Sequence, residues 1–284
     1  QGLTVARNAI TITNNGRIPL DLATSWDVTV MSNTLSVITP TVNGRALYLN
    51  SVGGSIAQVT GNTINVRGQA GPGVYIFHAL DLHGSDTATT TVRMMTPQRF
   101  SIQHAELAAA SRTRRKPTAI RARPGFEGAR IANNRFYGEN VGNSSAAIRL
   151  RESLPATATV HIAGNTISGF RSGIWPNTPQ NLFIRDNALL QNGYGINTTG
   201  AGDKLGLQIS NNIISGSTTA GILFAGEGPV TTTVGGSLTN ANVFRNNGPA
   251  SGINVAITLP ASNPLIDLTY NDWEVTDICA IAAT

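Results

Sequence analysis

Between Thr159 and Phe224 the chain writes one unit three times: VHIAGNTISGFRSGIW, LFIRDNALLQNGYGIN and LQISNNIISGSTTAGILF. Each unit has an aliphatic residue, two small or polar residues, an Asn, one more residue and a second aliphatic. A Gly-Ile pair closes it, the Ile nine or ten residues after the Asn. Along the whole chain the Asn slot is filled by Asn33, Asn62, Asn134, Asn165, Asn187, Asn212, Asn242 and Asn271, with Ala105 in the same slot of IQHAEL. An aliphatic stands three residues before each slot except at Thr239, and an aliphatic or aromatic stands two residues after it. Self-similarity at a period of a few tens of residues is the mark of a solenoid. The apolar residues lack the three-to-four spacing of a helix and form short alternating runs cut by Asn and Gly, which predicts strands.

A solenoid has a use for one Asn per coil. Asn tolerates the left-handed backbone that a tight corner needs. Its amide both donates and accepts. Stacked at the strand spacing of about 4.8 Å, it can bond the Asn above and below. Buried polar groups need such partners, so these residues are expected to be a structural ladder rather than ligands or catalysts. Nine slots predict roughly nine coils and an axis of about 45 Å.

Length and composition agree. A globular chain of 284 residues would usually split in two, but a solenoid continues as one domain, here expected over 1–284. A thin aliphatic core in a Ser/Thr/Asn/Gly shell explains a charged fraction of only 12%. One cysteine, Cys279, allows no internal disulfide, and its Ile-Cys-Ala-Ile setting reads as a small core residue. No apolar run approaches the roughly 18 residues of a membrane span. Gln1 has no Met before it, and no amphipathic helix covers the first coil. The expectation is a segment of a longer exported protein, or a copy stacked end to end on the exposed strand edge. An early corner is expected at Asn14-Asn15-Gly16.

The period breaks between Ala108 and Arg130. The stretch 108–118 reads as a loop thrown out of the stack, with Arg112, Arg114, Arg115 and Lys116 as a candidate anion-binding cluster. A solvated loop is the competing reading. Aromatic residues interleaved for base stacking are missing there, so no nucleic-acid partner is expected.

Placing the Gly-Ile strands in register turns Leu47, Val74, Ile120, Ile148, Ile174, Ile196, Ile222 and Ile253 inward. The next residue of each strand then points outward. That column is Tyr48, Tyr75, Arg121, Arg149, Trp175, Asn197, Leu223 and Asn254. Its first six members form a candidate glycan-binding face, in which rings stack on sugar faces and Arg forks meet carboxylates. An ordinary exposed strand face of β-formers is the alternative.

The units IAGNTISGFRSGI, IRDNALLQNGYGI and ISNNIISGSTTAGI, with VGGSLTNANVF and YNDW, resemble the right-handed parallel β-helix repeat proteins of the pectate-lyase-like superfamily. The resemblance implies an all-β solenoid, three short parallel strands per right-handed turn. It covers most of the chain, weakly before Asn33 and across 80–130. The superfamily holds polysaccharide lyases, glycoside hydrolases, tailspikes and adhesins, so the fold fixes little about function.

Glycosidic chemistry needs two carboxylates facing one bond, about 5–9.5 Å apart. Glu152, Asp186, Asp203 and Glu227 share no column position, and only His83-Gly84 matches a polygalacturonase-like motif. Asp267, Asp272, Glu274 and Asp277 are the densest acids and read as a solvated cap rather than a calcium site. His78, His83, His104 and His161 show no metal spacing. No catalytic residue, metal or cofactor is therefore assigned. The expected role is a non-catalytic structural or adhesive solenoid, extracellular or at the cell surface, as a surface protein or fibre subunit that contacts glycans. A lyase or hydrolase acting on an acidic polysaccharide is the alternative.

Overall fold

A computed structural model describes residues 3–13, 20–23, 28–38, 45–50, 57–67, 78–82, 128–139, 145–150, 159–176, 181–199, 204–226, 230–249, 252–258 and 264–273. The described residues form three sheets of stacked short strands. The first holds β1 (Leu3–Ala6), β4 (Val28–Met31), β7 (Ala57–Thr60), β10 (Gly128–Ala132), β13 (Thr159–Ala163), β16 (Leu182–Arg185), β19 (Lys204–Ser210), β22 (Val230–Val234) and β25 (Pro264–Asp267). The second holds β2 (Ala9–Thr13), β5 (Thr34–Ile38), β8 (Thr63–Arg67), β11 (Arg135–Glu139), β14 (Thr166–Ser168), β17 (Ala188–Leu190), β20 (Ile213–Ser215) and β23 (Val243–Arg245). The third holds β3 (Leu20–Ala23), β6 (Arg45–Asn50), β9 (His78–Leu82), β12 (Ala146–Leu150), β15 (Ser172–Pro176), β18 (Tyr194–Asn197), β21 (Ala220–Ala225) and β24 (Val255–Thr258).

Each strand pairs in parallel with the strand three places on, so the chain is a right-handed parallel β-helix. The inward residues stack by kind. Val30, Val59, Ile131, Ile162, Ile184 and Ile209 line the first sheet, and Leu35, Ile64, Phe136, Ile167, Leu189, Ile214 and Phe244 the second. Leu47, Ile148, Ile174, Ile196 and Ile222 line the third, and all of these are fully buried. Burying each such side chain contributes about 1.5–3 kcal/mol, which is what holds coils with so little local structure of their own.

The Asn ladder runs the length of the stack. Each rung donates both its backbone N–H and its Nδ2–H to Oδ1 of the next rung, at 2.9–3.1 Å, from Asn33 through Asn62, Asn134, Asn165, Asn187, Asn212 and Asn242 to Asn271. Nδ2 also donates to an aliphatic carbonyl of the preceding coil, as Asn187 does to Ile162 O at 2.9 Å. The corner is therefore buried with its polar groups satisfied.

Two expectations are corrected, and one rung is found that was not expected. Asn8 is a rung, donating to Asn33 Oδ1 at 2.9 Å through N and 3.0 Å through Nδ2, whereas 14–19, where the first corner was placed, lies outside the described residues. No rung stands between Asn62 and Asn134, where a slot was expected at Ala105, itself outside the described residues. Asn62 bonds Asn134 directly, β7 pairs with β10 and β9 with β12, and no place remains in the stack between them for a coil at 105. A methyl group cannot carry the rung's bonds. Among the described residues the ladder has nine rungs, from Asn8 to Asn271. Lastly, the left-handed residue is the one before the rung. Arg7, Ser32, Gly61, Asn133, Gly164, Asp186, Asn211 and Tyr270 have φ between 54 and 64°. The rung Asn is spared that conformation, which leaves its amide free to point inward. Ala241, with φ −58°, breaks the rule because the 3-10 turn Leu238–Asn240 leads into Asn242, and that turn is also why Thr239 stands where an aliphatic was expected.

A second polar corner, which the sequence reading missed, follows the second sheet. Gly169, Gln191, Gly216 and Asn246 take positive φ there, and Phe170, Asn192, Ser217 and Asn247 come next, all buried. Asn192 Oδ1 accepts from Phe170 N and Asn247 Oδ1 from Ser217 N, both at 3.1 Å. Their Nδ2 atoms donate to Ile167 O and Ile214 O. The stretch 108–118, with Arg112, Arg114, Arg115 and Lys116, lies outside the described residues, as does Cys279.

Candidate binding faces

On the third sheet the register differs from the expected one. The column is Asp21, Tyr48, Asp81, Arg149, Trp175, Asn197, Leu223 and Ala256. Asp81 stands next to Tyr48, where Tyr75 and Arg121 were placed, because β9 begins at His78; Tyr75 and Arg121 themselves lie outside the described residues. The longer turn after Phe244 brings Val255 rather than Ile253 opposite Ile222, so Asn254 turns inward and accepts from Asn247 Nδ2 at 3.0 Å.

Nor are all of its members open to solvent. Arg149 is 8% exposed and Asn197 7% exposed. The Arg149 guanidinium lies 4.5 Å from the centre of the Trp175 ring, and Trp175 Nε1 donates to Thr199 O at 2.7 Å. Asn197 donates to Ser172 Oγ at 3.1 Å and accepts from Thr199 N and Oγ1. The register sets Arg149, Trp175 and Asn197 on successive strands, where the polar atoms of Trp175 and Asn197 bond within the protein and the Arg149 guanidinium packs on the Trp175 ring.

The first sheet presents a different column: Thr29, Gln58, Arg130, His161, Phe183, Gln208, Thr233 and Asp267. Sequence reasoning missed it. Most of its members stand four residues before a rung, a position with no single residue type to draw the eye. The signal was a run of planar side chains there. His161 and Phe183 stack with centroids 4.8 Å apart and planes inclined by 15°. An open groove of about 550 Å³ runs past His161 and Phe183 toward Thr233, with Arg185, Gln208, Ser210 and Asn240 on its walls.

The groove sits in a positive field. Burial, then Arg185, then Arg130 hold the His161 imidazole below its ordinary pKa of 6.5. These two guanidiniums face it from β16 and β10. A lowered histidine pKa means that the unfolded chain takes the proton first as pH falls. Stability is then whole above 6.5 and declines from there to the folded-state pKa. His161→Gln should flatten that part of the urea-midpoint profile, and an imidazole titration by NMR should place the midpoint below 6.5.

The carboxylates of Glu139, Asp186, Asp267 and Asp272, whose side chains are described, do not converge. Glu139 pairs with Arg67 of the coil below at 2.6–2.7 Å, and Asp272 with Arg245. Asp186 lies 3.9 Å from Arg185. Asp267 accepts from Thr269 N and Oγ1, which lowers its pKa. Glu152, Asp203 and Glu227 lie outside the described residues, as do His83, His104, Glu274 and Asp277. Among the described residues no helix is long and apolar enough to cross a membrane.

Compared with known proteins, the chain matches over residues 111–256, just over half of its length, a family model described as periplasmic copper-binding protein (NosD). No curated protein and no solved structure matches it.

Proposed function

This chain belongs to the NosD family of periplasmic copper-binding proteins, and from that premise we propose that it is a non-catalytic periplasmic or cell-surface solenoid whose sheet faces contact glycans. The observation that carries this reading is the disposition of the acids. Each described carboxylate whose side chain is placed is tied to an arginine or caps a turn, and they sit on different sheets or corners. Hydrolysis and elimination both need acids or bases aimed at one bond. A rigid stack with engaged acids suits holding a polymer more than cutting it.

Copper fits the described residues poorly. It favours imidazole and sulfur donors. His161 is flanked in its column by Arg130 and Phe183, with Arg185 near enough to lower its pKa, and this positive field repels a cation. No group of three or more His, Cys, Asp or Glu gathers among the described residues. No step is therefore derived through copper. His83, Met94, Met95 and His104, whose side chains would suit it, lie outside the described residues.

The test is a pair of readouts on the full chain with polygalacturonate and alginate. Retention on the immobilised polymer, with no new reducing ends and no unsaturated product, is the expected result. Turnover of either polymer would overthrow the reading.

A further inference from the structure

The core columns are only half covered in the first and the last described coil. The hydrophobic side chains that pack against the core without being fully buried are Val5, Ile10 and Leu20 at one end and Ile266, Leu268 and Trp273 at the other. The Asn ladder is unfinished at the same two places. A rung inside the stack, such as Asn187, accepts two bonds on Oδ1 and gives its own N–H and Nδ2–H to the next Oδ1. Asn8 makes both donations to Asn33, but among the described residues its Oδ1 accepts none. Asn271 has the reverse deficit. Its Oδ1 accepts from Asn242 N and Nδ2, whereas its own N–H meets no acceptor among the described residues. Its Nδ2 bonds only the carbonyls of Val234, Leu268 and Thr269. One end lacks donors and the other lacks an acceptor. Strands β1, β2 and β3 each stand at the edge of their sheet, so their outer sides pair with no described strand. An open strand edge pairs readily with another chain.

We propose that these two ends form one interface between copies of this chain, joined head to tail, in which Asn271 of one copy gives its N–H and Nδ2–H to Asn8 Oδ1 of the next. The repeat fixes the register. Leu3 and Val5 precede Asn8 by the same spacings as Ile266 and Leu268 precede Asn271, and Ile10 follows as Trp273 does. Setting Asn8 one strand spacing, about 4.8 Å, from Asn271 therefore lays Leu3 on Ile266, Val5 on Leu268 and Ile10 on Trp273. The corner residues meet as well: Arg7 comes over Tyr270, which is 56% exposed, within reach of a cation–π contact. The backbone follows the pattern inside the stack. There, Arg7 N donates to Met31 O and Thr34 N to Asn8 O. By the same rule Tyr270 N reaches Ala6 O of the next copy, and Ala9 N of that copy reaches Asn271 O. Such a contact joins unlike surfaces, does not close on itself and builds a filament. It does not depend on what the sheet faces hold.

The test follows the whole chain by sedimentation velocity over a concentration series and by negative-stain microscopy. Association should grow with concentration and give unbranched filaments one solenoid wide. As the chain associates, hydrogen exchange read by mass spectrometry should slow in peptides 3–13 and 264–273 together and stay unchanged in 181–199, inside the stack. Asn8→Ala removes the acceptor at an exposed position and should weaken association about tenfold or more, since two bonds between copies are lost. Its fold is checked by circular dichroism, and the exchange pattern of the wild type decides by itself should that variant unfold. Tyr137→Ala, on the flank of the second sheet, should associate as the wild type does. A monomer at every concentration, association that is lost in Tyr137→Ala, or a folded Asn8→Ala protein that associates like the wild type each overturns the proposal. So does slowed exchange at one end only, which would mean that like ends meet in a closed dimer.

Discussion

Asn187→Ala should cost the solenoid about 4 kcal/mol, the sum of several orphaned partners at about 1–3 kcal/mol each. Asn187 Oδ1 accepts from Asn165 N at 3.0 Å and from Asn165 Nδ2 at 2.9 Å. Its Nδ2 donates to Asn212 Oδ1 and Ile162 O at 2.9 Å and to Arg185 O at 2.8 Å. A methyl group satisfies none of these, and the site is too buried for water to substitute freely, since Asn187 is only 2% exposed. The loss should be local at first, because in a stack each coil contacts only its neighbours. Amide exchange should rise most at Asn165 and Ala188, and the urea midpoint should fall. A midpoint shift worth less than about 1 kcal/mol would mean that the ladder is ornamental rather than structural.

Asn187→Asp separates the two halves of the amide. The carboxylate keeps an acceptor for Asn165, but its second oxygen would face Asn212 Oδ1, another acceptor. Burial and this clash of lone pairs raise the folded-state pKa of the new group above its unfolded value. The stabilising form is then the protonated one. Stability of this variant should be highest below about pH 3.9 and should fall as pH rises through the folded pKa, the reverse of an ordinary salt-bridged acid.

What could be read from the letters alone follows the same physics. Asn165, Asn187 and Asn212 were legible because a buried amide forces its neighbour to be an amide as well, and each stands between aliphatics that must face inward. Asn8 obeys the same pattern, with Val5 three residues before it and Ile10 two after. It was passed over for Asn14-Asn15-Gly16, a turn-like string without those flanks. Ala105 shows the converse error, in which aliphatic spacing was accepted without the amide that gives the spacing its meaning. The left-handed residue could not be told from the rung, because both positions favour Asn and several corners carry two in a row. The groove on the first sheet was hidden for a different reason. Outward positions do not answer to the core, so Gln, Arg, His and Phe share no chemical type there, and only the strand register gathers them. The third-sheet column was legible in composition but not in burial, which depends on what Thr199 and Ser172 do with Trp175 and Asn197.

The Gly of three Gly-Ile pairs, Gly173, Gly195 and Gly221, has its own steric cause, and it sets the second large effect. A Cβ at Gly173 would lie 2.6 Å from Gly195 O, one at Gly195 would lie 2.6 Å from Gly221 O, and one at Gly221 would lie 2.5 Å from Asn254 O. None of these three glycines has a positive φ, so the requirement is room rather than backbone freedom. The obstacle is a carbonyl of the next coil, which cannot rotate away as a side chain can. Gly195 is hemmed in twice, because its Cβ would also meet Ile214 Cγ2 at 2.7 Å. Gly195→Ala should therefore force β18 away from β21 and cost about 3 kcal/mol, the upper range of overpacking. Gly216→Ala supplies the contrast. Its φ is 67°, but the nearest atom to a new Cβ is the flexible Gln191 Cγ at 3.4 Å. That substitution should cost only the left-handed strain of about 1–2 kcal/mol. Amide exchange distinguishes the two mechanisms: the first should deprotect Ile196 and Ile222 on the third sheet, and the second only the corner around Gln191. Equal loss in both variants, with Ile196 and Ile222 still protected, would show that the coils can separate at no cost, and the closeness of stacking at Gly-Ile would then not be what fixes the pitch.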